Sequence, residues 1–234
     1  MKILAIETAT PGSSVALADG RTVVAYAALV DRTGHSRFLV PAIDFCFDQV
    51  AWSPTDLDGI AVDVGPGLYT GIRVGLATAQ ALGGTLGIPV VPVSSVDALA
   101  FDATTGRRHI WAVIDVRRGE LAVASYRPVP GGVVRDGAIE LVDADGFRAR
   151  LDSDPADTLV VGDTSALSDS FLRGLHRVRT GRPPYPSARA VAELGAGRLE
   201  RDSVPSPDDI RPLYMREPDV SIDWEKIHHP GPWG

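Results

Sequence analysis

The chain has 234 residues, 44% hydrophobic and 23% charged, with a formal net charge of -7, the make-up of a globular protein with room for one large domain or two small ones. A single cysteine, Cys46, excludes an internal disulfide framework and a cysteine-rich metal site. The acidic balance argues against a broad nucleic-acid surface, which needs a basic face, so any RNA would be held by another component.

No apolar run approaches the roughly 18 residues that read as a membrane span, and MKILAIETAT passes straight into strand-like sequence without a cleavage pattern; the expectation is a cytoplasmic protein. Residues 2–8, 14–18 and 22–28 read as three short strands joined by tight polar links, an antiparallel meander. HSRFLVPAIDFCFDQV (35–50) reads as a helix, which Pro41 should start or kink. GIAVDV (59–64) then reads as a strand, 70–87 as a helix and IPVVPVS (88–94) as a strand. Three strands followed by alternating helix and strand make an α/β fold, a mixed sheet with helices on its faces.

The polar stretch DATTGRRH after SSVDALAF marks a boundary between an N-terminal unit, 1–103, and a smaller α/β unit, 104–203. HIWAVIDVRRGELAVASYRPV reads as strand, turn at the Arg-Arg-Gly, and strand; AIELV, TLVVG, SALSDSFLRGL and SARAVAELGAGRLER continue the unit. Residues 204–234 are Pro-rich and aperiodic, a tail ordered only where it docks.

GPGLYTGIRVG, Gly65 to Gly75, joins a strand to a helix, where free backbone N–H groups and the helix dipole could receive an anion. Its GxGxxxG spacing is not that of a dinucleotide loop, no acidic residue follows in the next strand to hold a ribose, and no Lys-Ser or Lys-Thr makes it a Walker A loop. The glycines therefore read as permitting a tight turn and close packing. In the helix that follows, Ile72, Leu76, Ala79 and Leu82 share one face, while Gly71, Gly75 and Ala79 recur every four residues, the spacing of contact between helices.

In the preceding helix Leu39, Ile43, Cys46 and Val50 share one stripe, with Phe38, Ala42, Phe45 and Gln49 about a third of a turn away. With Val40 and Phe47 added, the apolar arc is wider than the roughly 100° a one-sided helix needs. One side packs on the chain's own sheet; the other needs a cover, either a second layer of the same chain or a partner protein. Glu7, Asp63 and Asp115 are scattered carboxylates without an evident partner, and no Gly-x-Ser-x-Gly elbow is present.

IETAT, HSRFLVP, GPGLYTGIRVG, IDVRRGEL, VVGD and PLYMREP, in that order and over nearly the whole chain, resemble the TsaB (YeaZ) family. The resemblance implies an actin/Hsp70-like (ASKHA, ribonuclease H-like) duplicated domain with mixed sheets flanked by helices. It implies a non-catalytic scaffold subunit required for N6-threonylcarbamoyladenosine (t6A) formation beside the anticodon of tRNA, binding the catalytic paralogue TsaD through a helical bundle. A TsaE-type ATPase joins the assembled complex, tRNA is met only through the complex, and a homodimer is allowed when the subunit is alone. The resemblance implies no catalytic residue, no metal and no cofactor of its own, with room for a nucleotide at a complex interface. The interface residues expected are Phe38, Ala42, Phe45 and Gln49 on the first helix and Arg73, Ala77 and Gln80 on the second; the family loop is Gly65, Pro66, Gly67, Thr70 and Gly71.

Two alternatives stand beside it. The catalytic paralogue itself carries a His-x-x-x-His pair on the first of these helices, placing both imidazoles on one metal; here Leu39 stands four after His35, and His109, His176, His228 and His229 do not supply the pair. His35 reads as helping Ser36 cap the helix. A nucleotide-dependent ASKHA transferase or phosphotransferase with its own active site would turn over ATP. Glu7 departs from the Asp more usual in the family and matches the paralogue; on its residues alone it is a strand-end carboxylate bonded to the adjoining turn.

Overall fold

The three β-rich segments at the start form β1 (Lys2–Glu7), β2 (Gly12–Asp19) and β3 (Thr22–Val30), an antiparallel meander. The computed structural model describes residues 1–103, 107–168, 170–201 and 205–215. After the meander come α1 (His35–Val50), β4 (Gly59–Asp63), α2 (Tyr69–Leu86), β5 (Val90–Val93) and α3 (Ser95–Asp102). The second half repeats the plan with β6 (His109–Asp115), β7 (Glu120–Val129), β8 (Gly132–Asp143), α4 (Ala144–Ser153), β9 (Thr158–Gly162), β10 (Val178–Thr180) and α5 (Ala188–Leu199).

Each half forms a five-stranded sheet of one pattern, β3-β2-β1-β4-β5 and β8-β7-β6-β9-β10. In both, three antiparallel strands are extended by two parallel ones. This is the duplicated mixed-sheet fold with flanking helices that the sequence leads one to expect. The polar boundary stretch falls between α3 and β6, with residues 104–106 outside the described set.

Alternation along the strands decides which helix covers which face. Leu4 and Ile6 of β1, with Val15, Leu17, Ile60 and Val62, pack against Leu39, Ile43, Cys46 and Phe47 of α1 and Leu76 and Ala79 of α2. Ile3 and Ala5 point the other way, where Ala16, Ala18, Ala61 and Val91 meet Ala188, Val191, Ala192 and Ala196 of α5. Each fully buried Ile, Leu or Val contributes roughly 1.5 to 3 kcal/mol. The α5 face is lined with small side chains because the helix sits close: a Cβ on Gly195 would lie 2.4 Å from that of Ala61. Helix α5 therefore follows the second sheet in sequence but packs on the first. The second sheet is covered by α3 on one face, through Val96, Leu99 and Ala100, and by α4 on the other, through Phe147 and Leu151.

Helix α1 begins at His35, six residues before Pro41, which lies within it; the expected start near the proline is not found. Pro41 is exposed, so the carbonyl of Arg37, which loses its helical donor there, is on the wet side of the helix. The capping role expected of His35 and Ser36 is also absent. Gly34 is the N-cap, without a side-chain cap bond, and His35 is buried with Nδ1 2.7 Å from Ser13 Oγ. The C-terminal segment returns along α2: a 3-10 turn at Pro207–Asp209 is followed by Ile210, buried in the α1–α2 core. Residues 216–234 of the expected tail, with His228 and His229, lie outside the described residues.

Candidate functional site

The glycine loop closes on the end of β1. Leu68, the N-cap of α2, donates its N–H to the Ala9 carbonyl at 2.6 Å. A Cβ on Gly67 would stand 2.0 Å from that oxygen, and one on Gly71 2.0 Å from the Thr8 carbonyl. Gly75 faces Thr8 Oγ1, which in turn donates to the Gly71 carbonyl at 2.8 Å. The small-residue stripe thus admits the backbone leaving β1 rather than another helix. Gly65 takes φ +102 and donates to Asp63 Oδ1 at 2.8 Å. Pro66 is buried and Thr70 exposed. The packing role read from the sequence is the one these distances describe.

Beneath the loop lies a relationship the sequence reading missed. Parallel pairing of β1 and β4, with Ile6 opposite Val62, brings Glu7 and Asp63 to adjacent strand ends, both fully buried. Asp63 Oδ1 accepts from Ser95 Oγ at 2.5 Å as well as from Gly65; Glu7 Oε1 accepts from the Ala9 N–H at 2.9 Å. Burial pushes the Asp63 carboxyl up to about 7. Burial first, and the neighbouring Asp63 charge second, hold Glu7 well above its ordinary value. Burial likewise lowers His35. The strand-end role read for Glu7 holds, but Glu7 and Asp63 are not scattered. The signal was available: each ends an apolar strand, and adjacent parallel strands align their ends. Asp115 stands apart, accepting from the Arg117 N–H at 2.7 Å within its own turn. With both carboxyls sealed from solvent, neither can reach a substrate as the protein stands.

What faces outward is the layer of α1 and α2. On α1, Leu39, Ala42, Ile43, Cys46 and Phe47 are buried against the chain's own sheet, whereas Phe45 is 50% exposed and Gln49 exposed. Phe38, on the same edge as Phe45, is partly covered by the core. Ala42 is only 5% exposed: its short side chain lies on the inner side of that edge and has no surface to offer. On α2, Arg73 and Ala77 are exposed and Gln80 half-buried. Arg73 and Gln80 are engaged by the C-terminal segment. Arg73 Nε donates to Tyr214 Oη at 2.7 Å while its guanidinium lies 3.9 Å from the Tyr69 ring centre, and the two tyrosines stack at 5.1 Å. Gln80 Nε2 donates to the Pro207 carbonyl at 2.6 Å. Leu213 N–H donates to the Val64 carbonyl at 2.7 Å, fixing residues 207–214 as a strap over α2 that sequence periodicity had no means of revealing.

A family model described as TsaD, tRNA N6-adenosine threonylcarbamoyltransferase, matches residues 27–147. The tRNA threonylcarbamoyladenosine biosynthesis protein TsaB of Bacillus subtilis (strain 168) is 34% identical over 231 residues, covering 96% of this chain and 98% of that one. The chain belongs to the TsaB family. TsaB of Escherichia coli (strain K12) is 28% identical, with 97% of this chain and 98% of that protein covered. Among solved structures, YeaZ from Pseudomonas aeruginosa superposes with a TM-score of 0.78 at 22% identity, covering 91% of this chain and 100% of that one, a likeness of fold. The residues that carry the TsaB resemblance lie at the end of β1, the start of α1, the β4–α2 loop, the β6–β7 turn, the end of β9 and, for the described residues 212–215, along the C-terminal segment. Among the described residues no helix is long and apolar enough to cross a membrane.

Proposed function

We propose that the chain is the non-catalytic scaffold subunit of a tRNA-modifying assembly that forms N6-threonylcarbamoyladenosine, and that it binds a TsaD-type catalytic paralogue through α1 and α2. Membership of the TsaB family supports the pathway. The observation that carries the interface is the half-exposed Phe45 on the edge of α1, in a helix layer whose other side is fully used by the chain's own sheet. The contact surface comprises Phe38, Phe45 and Gln49 on α1 and Arg73, Ala77 and Gln80 on α2, with Ala42 supporting it from below. Because the strap holds Arg73 and Gln80, the partner meets a composite of α2 and residues 207–214. Residues 1–103 carry the helices of this face, and 104–203 complete the body. A TsaE-type ATPase and tRNA join through the assembled complex, which leaves room for a nucleotide at an interface, and a homodimer is allowed when the subunit is alone.

The test is tRNA modification and ATP hydrolysis by the purified chain, with and without the catalytic partner. No turnover is expected from the chain alone, and modification is expected to depend on both proteins. Metal-dependent turnover by this chain alone would overturn the scaffold reading in favour of a transferase with its own site.

A further inference from the structure

On the side of the first sheet opposite α1 and α2, three arginines converge on an open cavity of about 390 Å³ where α3 and α5 meet β7 and β8. Arg135 comes from β8, Arg198 from the last turn of α5, and Arg201 from just beyond it. Asp97 of α3 sits between Arg135 and Arg198. Its Oδ1 accepts from Tyr126 Oη at 2.9 Å and from Arg135 Nη1 at 3.1 Å, and its Oδ2 lies 3.6 Å from Arg198 Nη2. Tyr126 is only 2% exposed, so this carboxylate is held from below by a fixed donor and orients two guanidiniums above it. Arg198 is further tied to the Pro92 carbonyl, and Arg201 Nε donates to the Gly197 carbonyl at 2.6 Å.

Three guanidiniums against one carboxylate leave two positive charges in a chain whose net charge is -7. Each guanidinium carries five N–H donors, and Asp97 and the carbonyls use only a few. A basic residue in the last turn of a helix is accounted for by the helix dipole, which covers Arg198. It does not cover Arg135, which reaches the same point from the edge strand of the other sheet. Planar guanidiniums in a fixed fork match the oxygens of a phosphate group, and the cavity has the size of a small-ligand site, ~300 to 1,000 Å³.

We propose that this cavity binds a phosphate-bearing anion through Arg135, Arg198 and Arg201, with Asp97 and Tyr126 as positioning residues. A ligand held by these arginines bridges α5, which covers the first sheet, and β8 of the second, so it ties the two halves together. The site does not depend on the α1–α2 interface.

The experiment is titration calorimetry of the full chain with inorganic pyrophosphate, with unmodified tRNA as a second arm. Binding should weaken by about tenfold or more in Arg135→Ala and Arg198→Ala, as expected on losing a charge-assisted contact, and weaken with added salt. Those changes also leave Asp97 less paired, so Arg201→Ala, which takes no part in the Asp97 network, is the decisive variant; it should fold normally and bind severalfold more weakly. Pyrophosphate binding that depends on these arginines identifies a small anion, and arginine-dependent binding of tRNA alone identifies a backbone phosphate; either supports the site. Absence of binding in both arms, or binding unchanged in Arg201→Ala, would overturn it.

Discussion

Glu7 and Asp63 end neighbouring parallel strands with both side chains at 0% exposure, and each keeps one oxygen, Oε2 and Oδ2, buried without a hydrogen-bond partner among the described residues. Two carboxylates sealed together cannot both ionise cheaply. Since both carboxyls are pushed up in the folded protein, Asp63 to about 7, the folded chain retains protons that the unfolded chain releases near pH 4. Stability must then fall as pH rises from about 4 towards 7. Asp63→Asn should remove part of that slope: relative to the parent it should gain on the order of 1 to 3 kcal/mol between pH 4 and pH 8. Urea denaturation at the two pH values measures this, and a difference independent of pH would refute the shared burial of charge.

Replacing Phe45 with Glu should separate interface from core. The side chain is half exposed, so folding stability should change by no more than about 0.5 kcal/mol. Affinity for the catalytic partner should fall by roughly two orders of magnitude, because a carboxylate left uncompensated in a buried contact costs several kcal/mol. Ala42→Glu makes the contrast, and should unfold the chain or destabilise it severely. Calorimetric affinity and circular dichroism of both variants decide the matter; normal partner binding by Phe45→Glu would move the interface elsewhere.

The glycines of the β4–α2 loop and of α2 should divide into two classes. Gly67→Ala and Gly71→Ala each drive a methyl to 2.0 Å from a backbone oxygen, a clash only a shift of β1 or α2 can relieve, and each should cost more than about 3 kcal/mol. Gly84, on the same helix as Gly71, has nothing among the described residues within 4 Å of an added Cβ, so Gly84→Ala should stabilise by about 0.5 to 1 kcal/mol through helix propensity. Thermal denaturation of the three variants tests the packing account of the loop.

Tyr214→Ala removes both the Tyr69 stack and the bond from Arg73. An aromatic pair contributes about 0.5 to 1.5 kcal/mol and an exposed hydrogen bond a similar amount, so release of the strap should become roughly 5 to 30 times more frequent. Thermolysin cleavage of the Asp209–Ile210 bond within the strap, followed by mass spectrometry, should accelerate to match. Equal cleavage rates in parent and variant would mean that Ile210 and Leu213 alone hold the strap.

Long, strongly periodic segments were legible in the sequence. Residues 35–50 and Tyr69–Leu86 declare themselves by their stripes, and the first three strands by their β-formers and polar turns. Ser95–Asp102 is too short for its periodicity to stand out from an apolar run, and Ala144–Ser153 buries only Phe147 and Leu151, leaving little apolar pattern to read. The apolar arc of α1 could not say that Ala42 falls inside the line and Phe45 outside it, since only about 60° of helix rotation separates positions three residues apart. Contacts between residues far apart in sequence were beyond reach: Glu7 with Asp63, His35 with Ser13, and Tyr214 with Arg73 each need the fold before the pair exists.

Helix α5 gives the chain an order of completion that differs from its order of synthesis. Ile3, Ala5, Ala16, Ala18 and Ala61 emerge from the ribosome long before the helix that shields them, Ala188–Leu199. Until then the first sheet has one wet apolar face, whatever its strands have already paired. The nascent chain therefore carries an exposed adhesive surface until α5 has been made, and sealing it also ties the finished second sheet to the first.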